Sequence, residues 1–195
     1  MKKQAIYQSS IKNTPFRQGE ILTDIFQYYP IANEIELDNT ELSFVNILHP
    51  YVIVVTQDCD LDWDYQARIS DNRPDKLLNS IILCEVATAQ EVRGTAEMNS
   101  KEWNLVSSQR HERYYFFEKI PKEFELEKEG LPELTADFKR IFGIEAAILY
   151  RQLELGMAKR RSVLSSPYLE HFSRRYHSFQ GRVALPYQYE SAKEG

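Results

Sequence analysis

The chain has 195 residues, a net charge of −5, twelve Tyr and ten Phe, which is enough apolar and aromatic mass for one domain to bury a core without disulfides or metal, and which excludes global disorder. No apolar run approaches the roughly 18 residues needed to cross a bilayer, and the basic N-terminus MKKQAIYQSSIKN is not followed by an apolar stretch, so a soluble, cytoplasmic single domain is expected over residues 1–195. Charge is polarised: ten carboxylates and no Lys or Arg lie between Gln18 and Ala67, whereas residues 151–182 hold seven basic side chains against Glu154 and Glu170, an arrangement that can hold the two ends of a chain together or steer a charged partner.

In chain order, Gly19 followed by an apolar run to Phe26 reads as an opening strand. Residues 31–44 alternate, with Asp38-Asn39 as a turn signal, and predict a half-exposed strand or hairpin. Tyr51-Val52-Ile53-Val54-Val55 is too short for a helix and rich in β-branching, so a strand buried on both faces is expected. Residues 58–79, with Asp71-Asn72-Arg73-Pro74-Asp75, read as an excursion loop, and SIILCEVA over residues 80–87 repeats the buried-strand signature. Ser100 is placed to cap a short helix over residues 101–109 with Trp103 and Val106 on one face. Tyr114-Tyr115-Phe116-Phe117 reads as a strand, residues 118–133 as a charged surface loop, 135–142 as a strand and 145–155 as a helix ending at Gly156.

The clearest helix signal comes last. Ser166 as cap, Pro167 in the first turn, Leu169, Phe172, Tyr176 and Phe179 at spacings of three and four, and Gly181 as the stop define an amphipathic helix that must dock. Short strands with few intervening helices suggest a mainly β fold with helical additions: a small β-barrel or strongly bent sheet over residues 16–120, with a strand and helix elaboration over 134–182.

The most informative stretch is where the apolar run stops at Gln57-Asp58-Cys59-Asp60. Cys59, Asp60 and the His49 that precedes the strand are the candidate catalytic residues, and Asp58 is a candidate binding group. Flanking carboxylates disfavour a thiolate, and an extended backbone would send Asp58 and Asp60 to one face and Cys59 inward, as a small packed hydrophobe. Asp62 and Asp64 make a divalent-cation site conceivable, but the Gly and terminal Glu of a calcium loop are missing, and turn capping with solvated carboxylates is the preferred reading. Neither this segment nor the two cysteines, Cys59 and Cys84, has metal-ligand spacing, so no metal and no cofactor are expected.

His111 precedes Tyr114, and in a barrel both His49 and His111 could approach the Asp60 end. Arg110, His111, Arg113 and Tyr114 form a basic and aromatic set of the kind that stacks bases on a sheet. Alternation buries only one of the pairs Tyr114 with Phe116 or Tyr115 with Phe117, leaving the other exposed or under another element. On the last helix, His171, Arg174 and Arg175 define a basic back, suited either to phosphate or to the acidic first third of the chain.

Gly19-Glu20-Ile21, and His49-Pro50 followed by Tyr-Val-Ile-Val-Val-Thr, resemble the Gly-Asp-Ile opening and the Arg-Pro-plus-hydrophobic-strand element of the PemK/MazF-like toxins. That resemblance implies an SH3-like β-barrel over about the first ninety residues. Glu20 replaces the family Asp, and His49 stands where those ribonucleases have an Arg that contributes to RNA cleavage. The Gln-Asp-Cys-Asp-Leu ending, Ser-Pro-Tyr-Leu-Glu-His-Phe and Gly-Arg-Val-Ala-Leu-Pro are similar to bacterial proteins of toxin or phage-defence operons, which implies a genomic setting. The expectation is a non-catalytic binding or regulatory component that engages RNA, DNA or a partner protein of the same assembly. The alternative is an endoribonuclease toxin or a Cys59-dependent hydrolase. Oligomerisation is expected in either case, because one small barrel cannot house every aromatic ring.

Overall fold

The computed structural model describes residues 5–31, 43–70 and 73–183. Among them, seven strands form one antiparallel sheet and five α-helices pack around it. The strands are β1 (Tyr7–Ser9), β2 (Glu20–Pro30), β3 (Phe44–Val54), β4 (Ser80–Thr88), β5 (Tyr114–Phe117), β6 (Leu134–Glu145) and β7 (Lys159–Leu164). The helices are α1 (Asp58–Ser70), α2 (Ala89–Arg93), α3 (Ser100–Ser107), α4 (Ala146–Glu154) and α5 (Tyr168–Gln180). The sheet order is β1-β7-β2-β3-β4-β6-β5, and every neighbouring pair is antiparallel. The fold is therefore α+β and mainly β. The strands of residues 134–164 are not an elaboration beside a finished core: β6 lies between β4 and β5, and β7 between β1 and β2.

The sheet bends at irregular pairings. The β2–β7 register shifts between Ile21 and Leu22, and the β4–β6 register between Cys84 and Val86; extra residues on one strand sharpen twist and curvature. The bend brings the two edge strands onto one core: Tyr7 of β1 and Tyr115 and Phe117 of β5 share a cluster with Phe138 and, from α5, Phe172 and Phe179. Tyr7 Oη donates to the Glu118 carbonyl at 2.9 Å, so the residue after β5 is tied to β1. On the other face, Leu61 of α1 and Ala146 and Leu149 of α4 close over Leu22, Ile25, Val52, Val54, Ile81 and Leu83. A small third cluster, Val92, Met98 and Val106, is joined by Trp103, Tyr114 and Phe116. The pair left over on β5 is thus under another element: Trp103 of α3 meets Phe116 edge-on at 5.8 Å.

Two buried ion pairs tie the basic strand β7 to distant parts of the chain, one of them to the acidic first third. Arg160 forks onto Glu20, donating from Nε at 2.7 Å and from Nη2 at 2.8 Å, and donates also to the carbonyls of Thr14 and Pro15. Arg161 bonds Glu125, whose carboxylate further accepts the backbone N–H groups of Glu127, Glu129 and Gly130. Burial works against charge on Glu125, yet Arg161 and the three N–H groups outweigh it and its pKa lies below the ordinary value. Segment 118–133, expected as a surface loop, therefore has an inside: Ile120 bridges Leu131, both are buried, and Glu125 is 2 % exposed.

Other expectations need correction. Residues 58–70 are helix α1, not loop. Helix α3 is capped by Asn99, whose side chain accepts from Lys101 N and Glu102 N, and not by Ser100. No side-chain cap bond precedes α5 at its N-cap residue, Pro167. The hairpin reading of residues 31–44 falls mostly outside the described residues, but the strands that flank it are described. There β2 and β3 project as a two-stranded arm, paired from Gln27 with Ile47 to Pro30 with Phe44. Its apolar side chains are exposed, among them Tyr28, Phe44, Val45, Ile47 and Leu48.

Candidate functional site

The end of the central strand is built by backbone and side-chain ties. Val55 N donates to the Ile82 carbonyl at 3.0 Å, and Ile82 N to Thr56 Oγ1 at 2.7 Å. The chain then turns directly into α1, with Leu61 N bonded to the Gln57 carbonyl. Asp58 is structural here: Oδ1 accepts Gln18 N–H at 2.6 Å and Oδ2 accepts Arg17 Nη2 at 3.0 Å, while Gln18 Nε2 donates to the Val55 carbonyl. The turn at Gly19 that precedes β2 is held by these contacts. Gly19 has φ +75°, so the backbone selects glycine; a Cβ there would fall 2.7 Å from Leu169 Cδ1, the end of a side chain that would have to shift.

Because residues 58–60 are helical, successive side chains turn about 100°, and the expected alternation does not apply. Cys59 is exposed, not packed inward. Its sulfur lies 3.9 Å from Gln57 Oε1 and 3.7 Å from Asp60 Oδ1, two oxygens that do nothing to stabilise a thiolate. Asp64 is wholly buried and takes a bidentate bond from Arg68, 2.9 Å on each oxygen, plus Leu78 N–H at 2.7 Å. Among the described residues, no group of three or more His, Cys, Asp or Glu side chains gathers in a way that could hold a metal ion.

His49 is a core residue. It is 6 % exposed and stacks on Phe142 with ring centroids 4.1 Å apart; Nδ1 lies 3.2 Å from Glu85 Oε1 and Nε2 3.0 Å from Gln27 Oε1. Burial lowers its pKa, against an opposing pull from Glu85. His111 sits elsewhere, 3.6 Å from Glu102, with Nδ1 accepting the backbone N–H groups of Arg113 and Tyr114. Burial lowers its pKa as well. Neither histidine bonds any of residues 58–60, so the expected meeting of His49, His111 and Asp60 does not occur.

The structure does bring the other binding candidates together. Arg113 forks onto Asp137, with Nε 2.6 Å from Oδ1, and its guanidinium lies 4.9 Å from the Tyr114 ring centre. Arg175 of α5 donates to the carbonyls of Gln109, His111 and Tyr114, which ties α5 to the loop before β5. Tyr115 Oη and His171 Nδ1 are 3.2 Å apart. Burial, then Arg175 and Arg174, lower the His171 pKa. Arg110 is exposed and its Nε donates to Ser108 Oγ at 3.0 Å, while Arg174 is exposed on the outer side of α5. The most basic neighbourhood is thus largely occupied by its own carboxylate and carbonyls.

Two features carry no sequence motif. One is the apolar arm of β2 and β3. The other is a cavity of about 910 Å³ between α1, α4 and the loop before β2, whose lining comes from five separate stretches of chain. No helix among the described residues is long and apolar enough to cross a membrane. No protein-family model, curated protein or solved structure matches the chain, and the functional reading therefore rests on geometry.

Proposed function

We propose that the protein is a non-catalytic binding or regulatory component of a bacterial toxin or phage-defence assembly, with a PemK/MazF-like barrel that engages a partner protein through its β2–β3 arm. The setting and the barrel rest on the motif resemblance; the barrel is supported further by the shared core of β1 and β5 and the Tyr7 to Glu118 bond.

The observation that carries the binding reading is the arm. Its outer half, residues 26–30 and 44–48, holds no charged side chain. Pairing of β2 with β7 stops at Thr23, and pairing of β3 with β4 begins at Tyr51. The Gln152 side chain bonds both the N–H and the carbonyl of Phe26, so beyond Phe26 on β2 and before Tyr51 on β3 neither outer edge is paired with another strand among the described residues. An apolar strand with an open edge is a ready surface for strand addition and apolar docking. The surrounding sequence is acidic, without Lys or Arg from 18 to 66, which opposes a polyanion and favours a protein with a basic rim. Catalysis has no comparable support at the strand end: among the described residues Cys59, His49 and His111 have separate partners, and neither histidine shares a hydrogen bond with Cys59.

The test is co-expression of the tagged full chain with its neighbouring genes. A stoichiometric companion is expected with the wild type and is expected to be lost with Ile47→Lys or Leu48→Lys. Retention of the companion by both folded variants would overturn the arm as the contact, and elution with RNA or DNA alone would overturn the partner-protein reading. Light scattering distinguishes a second copy of the chain from a different partner.

A further inference from the structure

The cavity between α1, α4 and residues 12–16 has a built wall and, among the described residues, cations without a carboxylate partner. Tyr65 Oη donates to the Asn13 carbonyl at 2.7 Å, and Arg160 donates to the carbonyls of Thr14 and Pro15, so α1 and β7 fix the loop that forms one side. The inner side carries Tyr65 and Tyr150, with ring centroids 6.5 Å apart; Arg68 lies 5.0 Å from the Tyr150 ring centre, and behind them Phe16 is buried, 5.0 Å from Tyr150 and covered by Arg160. The guanidinium groups in the lining are not equivalent. Arg160 and Arg68 are committed to Glu20 and Asp64. Lys159, half-buried, and Lys12, exposed, line the same cavity and form no ion pair with any described residue. Arg151 is held only by an exposed contact to Glu154 at 3.0 Å.

A half-buried cation with no carboxylate partner among the described residues, beside an aromatic wall, suits a ligand with an anionic head and a planar body. The volume falls within the range of about 300–1,000 Å³ typical of small-molecule sites. The lining also contains Glu127 and Glu154, acceptors suited to hydroxyl and amino groups. Their carboxylates interrupt the apolar surface, which disfavours an acyl chain and favours a molecule that is polar at both ends.

We propose that this cavity binds a nucleoside monophosphate, with Lys159 and Lys12 taking the phosphate, the Tyr65 and Tyr150 side contacting the base, and Glu127 and Glu154 accepting from sugar or base donors. The inference is independent of the arm, which lies on other residues.

The experiment is isothermal titration of the full chain with AMP, GMP, CMP and UMP in turn, with adenosine and inorganic phosphate as part-ligands. At least one nucleotide is expected to bind with a dissociation constant below about 1 mM, and neither part-ligand to bind within about tenfold of it. Lys159→Ala should weaken binding about tenfold or more. Ala147→Trp, at an exposed helical position that lines the cavity, should abolish it by filling the space. Lys12→Ala, at an exposed loop position, provides the charge test if Lys159→Ala does not fold. Absence of binding by all four nucleotides, binding undiminished in Ala147→Trp, or equal binding of inorganic phosphate alone would overturn the assignment.

Discussion

Asp58 and Asp64 come from the same acidic run, and the fold gives them different structural work. Asp58 anchors the turn before β2 by accepting from Gln18 and Arg17, and Asp64 is wholly buried in a bidentate bond with Arg68. Glu20 and His49, the residues on which the toxin-like resemblance turns, are also interior: one is paired with Arg160, the other stacked on Phe142. Cys59 alone of the strand-end group is open to solvent without a cation beside it, whereas Cys84 is fully buried and its pKa is pushed well up, first by burial and then by Asp137 and Glu85. A colorimetric thiol assay on the native protein should therefore count one accessible thiol, absent in Cys59→Ala, and a second only after denaturation. Two accessible thiols in the native protein, or none, would contradict this placement. Cys59→Ala should change stability by no more than about 0.5 kcal/mol, as expected for an exposed residue.

At the scale of elements, α5 was legible and α1 was not, for opposite reasons. In α5 the positions at spacings of three and four are aromatic or aliphatic, and Phe172 meets Tyr115 edge-on at 5.2 Å and Phe138 at 5.8 Å. Phe172→Ala is expected to cost about 3–5 kcal/mol, measured by urea denaturation; a loss below about 1 kcal/mol would mean that α5 does not close this core. In α1 the buried positions are Leu61, Asp64 and Ala67, so the inward stripe contains a carboxylate and the apolar period disappears from the sequence. The β7 strand was hidden likewise: Lys-Arg-Arg-Ser-Val-Leu reads as a basic patch, and only the distant partners Glu20 and Glu125 make it interior. The strands at β3, β4, β5 and β6 were legible because β-branched and aromatic runs need no partner to be recognised. Neither the arm nor the cavity was, since both are defined by which strands fail to pair and which distant segments meet.

Across the whole molecule, part of the charge asymmetry of the sequence becomes a buried tie between distant parts of the chain. Glu20 near the start meets Arg160 near the end, 140 positions apart, on the adjacent strands β2 and β7 of a sheet whose edge strands share one core. Three histidines, one buried, one half-buried and one exposed beside Tyr115, govern the response to acid. His49, His111 and His171 all have pKa values below the ordinary imidazole value, with burial the largest cause in each. The unfolded chain therefore takes up protons before the folded one as pH falls. This contribution is whole above about pH 6.5 and is lost on acidification through the depressed folded values. Glu125, also depressed, adds a loss of the same sign below the ordinary carboxylate range. The urea midpoint at pH 5.5 should lie below that at pH 7.5, with a smaller difference in His49→Gln. An unchanged or higher midpoint at pH 5.5 would contradict the lowered histidine pKa values, that of buried His49 first.

The central claim, that this fold binds and does not catalyse, is tested most directly by inducing the protein alone in a bacterial host. Cys59→Ala and Asp60→Ala, each shown to accumulate as folded protein, are induced beside it, and growth and the integrity of cellular RNA are followed. The account predicts unimpaired growth and intact RNA for all three. Growth arrest with cleaved RNA in the wild type, relieved by either substitution, would contradict it and place an active site at the start of α1.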